Sequence, residues 1–195
     1  EFALGTESTV DALAQYAAYT HGHPSNKDSK TRWMRFFRYA IPEFIFSERG
    51  HRDDRDVQWH VNYTILDGQR IDIEIYRSRD LIDKCPHYQA YLNQANIIKE
   101  KYEDMLLCGR YVDTKGIEYS NKDMEARAYL SQDGKKMAVV VANQLREAQT
   151  LKTKLEVPGF RYVEHSTLGN ALVEKAGKRI TMEQYDLAVL LFEKE

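Results

Sequence analysis

The chain has 195 residues, 43% of them hydrophobic and 30% charged, with 13 Tyr, 7 Phe and 2 Trp, a composition that excludes a disordered polymer and fits one ordinary domain or two small ones. Its 28 basic and 30 acidic residues are mixed along the whole length for a net charge of −2, so no face is marked for a phosphate backbone and nucleic acid is not an expected partner. No stretch approaches the roughly 20 apolar residues of a membrane span and no basic n-region leads an apolar h-region, so a soluble piece without a membrane partner is expected, its setting, secreted or periplasmic, left open.

The chain starts Glu1-Phe2-Ala3-Leu4-Gly5 and enters an apolar run at once, which reads as a fragment whose upstream portion is missing. Phe2 to Thr6 reads as a short strand, Glu7 follows, and Ser8 with Asp11 forms an S-x-x-D variant of the capping box. The predicted helix carries Val10, Leu13, Ala14, Ala17 and Ala18 on one stripe and stops near Thr20 to Pro24. Asn26 to Thr31 is a polar loop. Trp33 to Ile41 is aromatic and basic and ends at Pro42, ahead of a second strand at Phe44-Ile45-Phe46. Ser47 to Asp56 then packs eight charged or imidazole side chains into ten positions, which reads as a loop.

Val57, Val61 and Ile65 recur at helical spacing before Gly68, completing a second βα unit. Ile71, Ile73 and Ile75 alternate as a strand does, while their charged neighbours also suit a helix continuing past Gly68, and both readings stand. Pro86 opens the clearest helix, with Tyr88, Tyr91, Leu92, Ala95, Ile98, Tyr102, Met105 and Leu106 at spacings of three and four, ending before Gly109. Cys85 and Cys108 sit near its two ends, roughly 30 Å apart, beyond disulfide reach, and both read as buried thiols.

Past Gly109 the period changes. Ala126 to Leu130, Met137 to Ala142, Leu151 to Val157, Phe160 to Glu164 and Leu187 to Phe192 read as strands, with Asp133-Gly134 as a tight turn between the first two. Leu151, Thr153, Leu155 and Val157 alternate with Lys152, Lys154 and Glu156, so one face of that strand is buried and the other wet. The fold class expected is α+β: the last βα units of a (β/α)8 barrel in residues 1–107, followed by an antiparallel β-sandwich in residues 108–195.

The element order carries a resemblance, together with three runs of sequence: Phe36-Phe37-Arg38-Tyr39-Ala40-Ile41-Pro42-Glu43, then Lys101 to Tyr111 (KYEDMLLCGRY), then Ala138-Val139-Val140-Val141-Ala142-Asn143. These resemble the tail of bacterial glycoside-hydrolase-like barrel proteins, similar in plan to α-galactosidases and α-amylases, and above all a glycosidase-like family of Bacteroides-type gut bacteria. The resemblance implies that residues 1 to about 70 are the last two βα units, with about six more before them. It implies a carbohydrate substrate, and it places the catalytic pair of such barrels on earlier strands.

Barrel enzymes keep their chemistry where strands end and helices begin, which makes Glu7 the first catalytic candidate; Glu7 equally suits the positive end of its own helix. Glu48 is the second carboxylate, with Arg49 and His51 as substrate-binding partners for sugar hydroxyls and a solvated charged loop as the other reading. Glycoside hydrolysis needs two carboxyl groups about 5 to 10 Å apart, which Glu7 and Glu48 meet only if their strands are neighbours. Trp33, with Phe36, Phe37 and Tyr39, offers a stacking surface for a sugar ring, although core packing is the commoner use of such a cluster.

His21 and His23 form an H-x-H pair that lacks a converging third ligand, so no metal site is expected. There is no G-x-x-x-x-G-K-[ST], G-x-G-x-x-G or G-x-S-x-G, so no cofactor is expected and serine hydrolase chemistry has no motif behind it. The expected function is a carbohydrate-acting glycoside hydrolase to which this piece adds barrel-mouth residues. The alternative is a non-catalytic carbohydrate-binding or structural module, which would show aromatics exposed on one sandwich face.

Overall fold

The computed structural model describes residues 5–6, 16–22, 33–51, 54–73 and 81–195. The chain forms two compact units, Glu1–Leu92 and Asn93–Glu195. Their mixture of helices, a parallel sheet and antiparallel sheets is the α+β class.

In the first unit, strands β1 (Gly5–Thr6), β2 (Tyr19–Gly22), β3 (Ile45–His51) and β4 (Arg70–Ile73) make a parallel sheet in the order β1-β2-β3-β4. Helix α1 (Trp33–Ala40) lies between β2 and β3 in the chain, and α2 (Val57–Leu66) between β3 and β4. Four parallel strands thus stand where two were expected and a third, at Ile71, was left open. The segment read as a helix stop at Thr20 contains β2, because Tyr19 and Thr20 are good strand formers and Thr20 is wholly buried between neighbours. The predicted helix over Val10–Ala18 lies mostly outside the described residues. Its end, Ala17 and Ala18, immediately precedes β2 and is not helical.

Phe44 and Phe46 pack edge to face at 5.1 Å over Ala17, with Phe37 and Ile41 of the α1 region against them. Arg38 fastens that helix to the following strand, its Nη1 donating to the carbonyls of Pro42 at 2.9 Å and Phe44 at 3.1 Å. Helix α2 is buried nearly all round, from Val57, Trp59, Val61, Ile65 and Leu66 to the polar His60, Asn62 and Thr64. Ile71 and Ile73 lie in β4, which decides the open reading for a strand as far as Ile73; Ile75 lies outside the described residues.

Two carboxylates on either side of α2 are tied into structure. Asp67 holds the Arg35 guanidinium at 2.7 Å. Asp54 accepts the backbone N–H of Tyr88 at 2.6 Å and of His87 at 3.3 Å, satisfying donors at the start of α3 (Pro86–Lys101) that no helical carbonyl reaches.

The second unit runs from the last turns of α3 through α4 (Glu103–Leu106) into nine strands. These are β5 (Arg110–Asp113), β6 (Glu118–Tyr119), β7 (Glu125–Leu130), β8 (Lys136–Ala142), β9 (Leu151–Glu156), β10 (Phe160–Leu168), β11 (Leu172–Glu174), β12 (Arg179–Met182) and β13 (Leu187–Lys194). They form two antiparallel sheets, β10-β13-β8-β7-β5 and β11-β12-β9-β6. One core joins them: Val139, Val141 and Leu190 from the first sheet meet Leu151, Leu155 and Ile180 from the second.

Asp133 and Gly134 make the expected turn between β7 and β8, with Gly134 at φ +68 and its N–H on the Ser131 carbonyl at 2.9 Å. Where the chain switches sheets, buried polar groups hold the crossings. Asp186 accepts the N–H groups of Asn170 and Glu183, each at 2.8 Å, while Asn143 donates from Nδ2 to the Gln149 carbonyl at 2.7 Å. Short strands β5, β6, β11 and β12 were not legible beforehand, being two to four residues long with little alternation.

Both cysteines are free; Cys85 is buried as expected, but Cys108 is exposed. The inward position in that turn belongs to Gly109, where any Cβ would collide with the carbonyl oxygens of Met105 and Leu130. Among the described residues no helix is long and apolar enough to cross a membrane.

Candidate functional site

Because the four strands of the first unit are parallel, their carboxyl ends share one edge of the sheet, the edge where open and closed α/β sheets bind ligands. Residues 48–51 are at that edge, but as the second half of β3 rather than a loop after it. The pairing with β4 runs Ser47 to Arg70, Glu48 to Ile71 and then His51 to Ile73, so β3 carries an extra residue between Glu48 and His51. Such a bulge bends the strand locally and is frequent beside active sites. Glu48, Arg49 and His51 therefore occupy consecutive or bulged positions on one irregular strand end, and Gly22 of β2 is the register partner of Glu48.

Glu7 lies outside the described residues, as does His23. β1 and β3 both pair with β2 and not with each other, so the neighbour condition set for a Glu7–Glu48 pair is not met by the strand order. Trp33 opens α1 on the crossover from β2 to β3. Within its aromatic run Phe37 packs against the core. Phe36 is 65% exposed and Tyr39 43%, because the face of α1 that carries Phe37 and continues to Ile41 is turned to the sheet while positions 36 and 39 share the other side. Among the described residues no group of three His, Cys, Asp or Glu side chains converges to hold a metal ion.

The second unit holds two polar or concave features. In the first, the Lys101 ammonium contacts Glu164 at 3.0 Å and the Ser166 hydroxyl at 3.2 Å, and Tyr102 shares a hydrogen bond with Ser166 at 3.0 Å. Burial pulls the Lys101 pKa down, but its hydrogen bonds to Glu164 and Tyr102 hold it above the ordinary lysine value. A lysine held in its protonated form at neutral pH cannot take the serine proton, so this cluster docks the helix end on β10 and is not a nucleophile with its base.

The second feature is a cleft of about 590 Å³ lined by residues of the β9–β10 turn, the β11–β12 turn and β13. Tyr162 and Phe160 line it half-buried, and burial, followed by the charges of Tyr102 and Glu164, raises the Tyr162 phenol pKa. Sequence reading missed this cleft, since its aromatic residues are spread over two strands and Tyr162 looks like any alternating core position. The local signs were two turn glycines at positive φ, Gly159 in its lining and Gly177 beside it. Aromatics exposed on a sandwich face, the mark of a binding module, are absent from the described second unit; the exposed ones, Tyr16, Phe36 and Tyr39, belong to the first.

The fold defines a class: an α+β chain with a parallel βα sheet in its first unit and, in its second, two antiparallel sheets over one core. No protein-family model matches the chain, and no curated protein matches it. Among solved structures it is similar to a glycoside hydrolase family 30 subfamily 8 xylanase from Clostridium acetobutylicum, at 11% identity and a TM-score of 0.45 over 94% of this chain and 50% of that one. An Anoxybacillus α-amylase is similar at 13% identity and a TM-score of 0.49, over 94% of this chain and 41% of that one. A family 30 endoxylanase from Clostridium papyrosolvens is similar at 12% identity and a TM-score of 0.43, over 91% and 49%. The chain spans half or less of the length of each structure. With TM-scores below 0.5 these are distant likenesses of shape, and no function passes from them to this chain.

Proposed function

We propose that the first unit is an arc of a (β/α)8 barrel and that the chain belongs to a glycoside hydrolase acting on carbohydrate, with residues 108–195 as its accessory antiparallel sandwich. The observation that carries this reading is the strand order. Four parallel strands lie side by side in chain order, as in a closing barrel, whereas a doubly wound sheet reverses its order at the ligand crevice. The bulge at Glu48–His51 puts an irregular, charged strand end on the edge where such barrels keep their sites.

In this proposal Glu48 and Glu7 are carboxylates that the chain offers singly to the barrel mouth rather than as a pair with one another, Arg49 and His51 hydrogen-bond sugar hydroxyls, and Trp33 gives a ring for stacking. The rest of the barrel, about four βα units in a wheel of eight, comes from protein outside these 195 residues. The test is hydrolysis of a panel of aryl glycosides by the longer protein that carries this chain. Glu48→Gln is expected to lower kcat/KM by roughly 10²-fold or more with an unchanged circular dichroism spectrum. A longer protein that hydrolyses none of the panel overturns the reading.

A further inference from the structure

We propose that the cleft in the second unit is a binding site for a single uncharged sugar unit, separate from the strand-end edge of the first. Its volume of about 590 Å³ is within the range of small-molecule sites. What distinguishes it from a gap between sheets is how Tyr162 is held. The phenol oxygen is hydrogen-bonded to His165 Nδ1 at 2.6 Å, and the ring meets Phe192 edge to face at 5.9 Å. Gly177, at φ +77, gives the ring its place: a Cβ there would come within 2.8 Å of Tyr162 Cδ2. The aromatic wall is therefore fixed before any ligand arrives, which spares the ligand the entropy of ordering it.

The charges around this wall have no single sign. Arg161 is tied to Glu193 at 2.6 Å, and the lining carries the exposed ammonium of Lys178 together with the exposed carboxylates of Glu156 and Glu195. An ionic ligand of either sign meets a like charge as well as an opposite one, whereas a neutral polyol uses the ammonium as donor and the carboxylate as acceptor. An apolar ring face bounded by separate donors and acceptors matches a pyranose, which has a C–H face and a girdle of hydroxyls. The choice of a sugar over other neutral amphiphiles rests on the carbohydrate reading above; the site itself does not.

The experiment is an amide chemical-shift titration of the 195-residue chain with methyl glycosides of xylose, glucose and galactose, with cyclohexanol as the apolar control. At least one glycoside is expected to give saturable shifts at Gly159, Arg161 and Gly177, weakened roughly tenfold by Tyr162→Ala. Lys178→Ala changes an exposed side chain, leaves the fold intact, and is expected to weaken the same binding severalfold, so it decides the matter should Tyr162→Ala not fold. Shifts at these residues with cyclohexanol and with no glycoside overturn the ligand class. Shifts confined to β3, or none at all, overturn the site while leaving the hydrolase proposal to its own assay.

Discussion

The two antiparallel sheets share a core, yet their central strands are written differently. β9 alternates, with Leu151, Thr153 and Leu155 buried and Lys152, Lys154 and Glu156 exposed, because only one of its faces is covered. β8 does not alternate: Met137, Val139 and Val141 face the shared core, and Ala138, Val140 and Ala142 on the opposite side are just as buried. On that side α4 packs across β5, β7 and β8, with Tyr111 and Tyr129 stacked edge to face beneath. Alternation thus reports how many layers lie on a sheet, and an unbroken apolar run such as Met137 to Ala142 reports a sheet in the middle of three.

That contrast is open to direct attack. Leu190, wholly buried on β13 opposite Val139, is expected to cost about 2–5 kcal/mol when changed to Ala, whereas Lys152→Ala on the wet face of β9 stays within about 0.5 kcal/mol. Urea unfolding of the chain measures both; equal effects would mean that the two sheets are not layered as described. Next in size, Asp186→Ala strips the acceptor from two buried N–H groups at a sheet crossing and is expected to cost roughly 1–3 kcal/mol in the same assay.

A comparison of the two units gives the third test. Both tryptophans, Trp33 and Trp59, lie in the first unit, so tryptophan fluorescence reports on that unit alone. Asp54→Ala removes the carboxylate at the start of α3 and is expected to cost about 1 kcal/mol, read in the tryptophan signal. The smallest effect concerns pH. The raised pKa of Lys101 means that its contribution is whole below the ordinary lysine value and fades as pH rises through the folded one. Lys101→Met is therefore expected to flatten the alkaline end of the stability profile, and only slightly, since Lys101 and Glu164 are 41% and 43% exposed.

The sequence alone determined the elements whose signal is local. Period 3.6 after Pro86, period 2 from Leu151, and the Asp133-Gly134 turn each depend on contacts within a few residues, and each is where it was read, except that the single helix read from Pro86 to Leu106 is broken at Tyr102 into α3 and α4. The charged run at Glu48 was legible as a concentration of polar chemistry, although not as a strand, since charge favours a loop until neighbouring strands supply hydrogen bonds. Tertiary structure decided the rest. β2 exists because β1 and β3 pair on either side of it, Phe36 and Tyr39 are exposed because only one face of α1 meets the sheet, and the Tyr162 cleft is assembled from turns and strands far apart in the chain. A strand of four residues, a helix face and a cavity wall are all defined by what lies next to them, and one-dimensional periodicity holds no record of a neighbour.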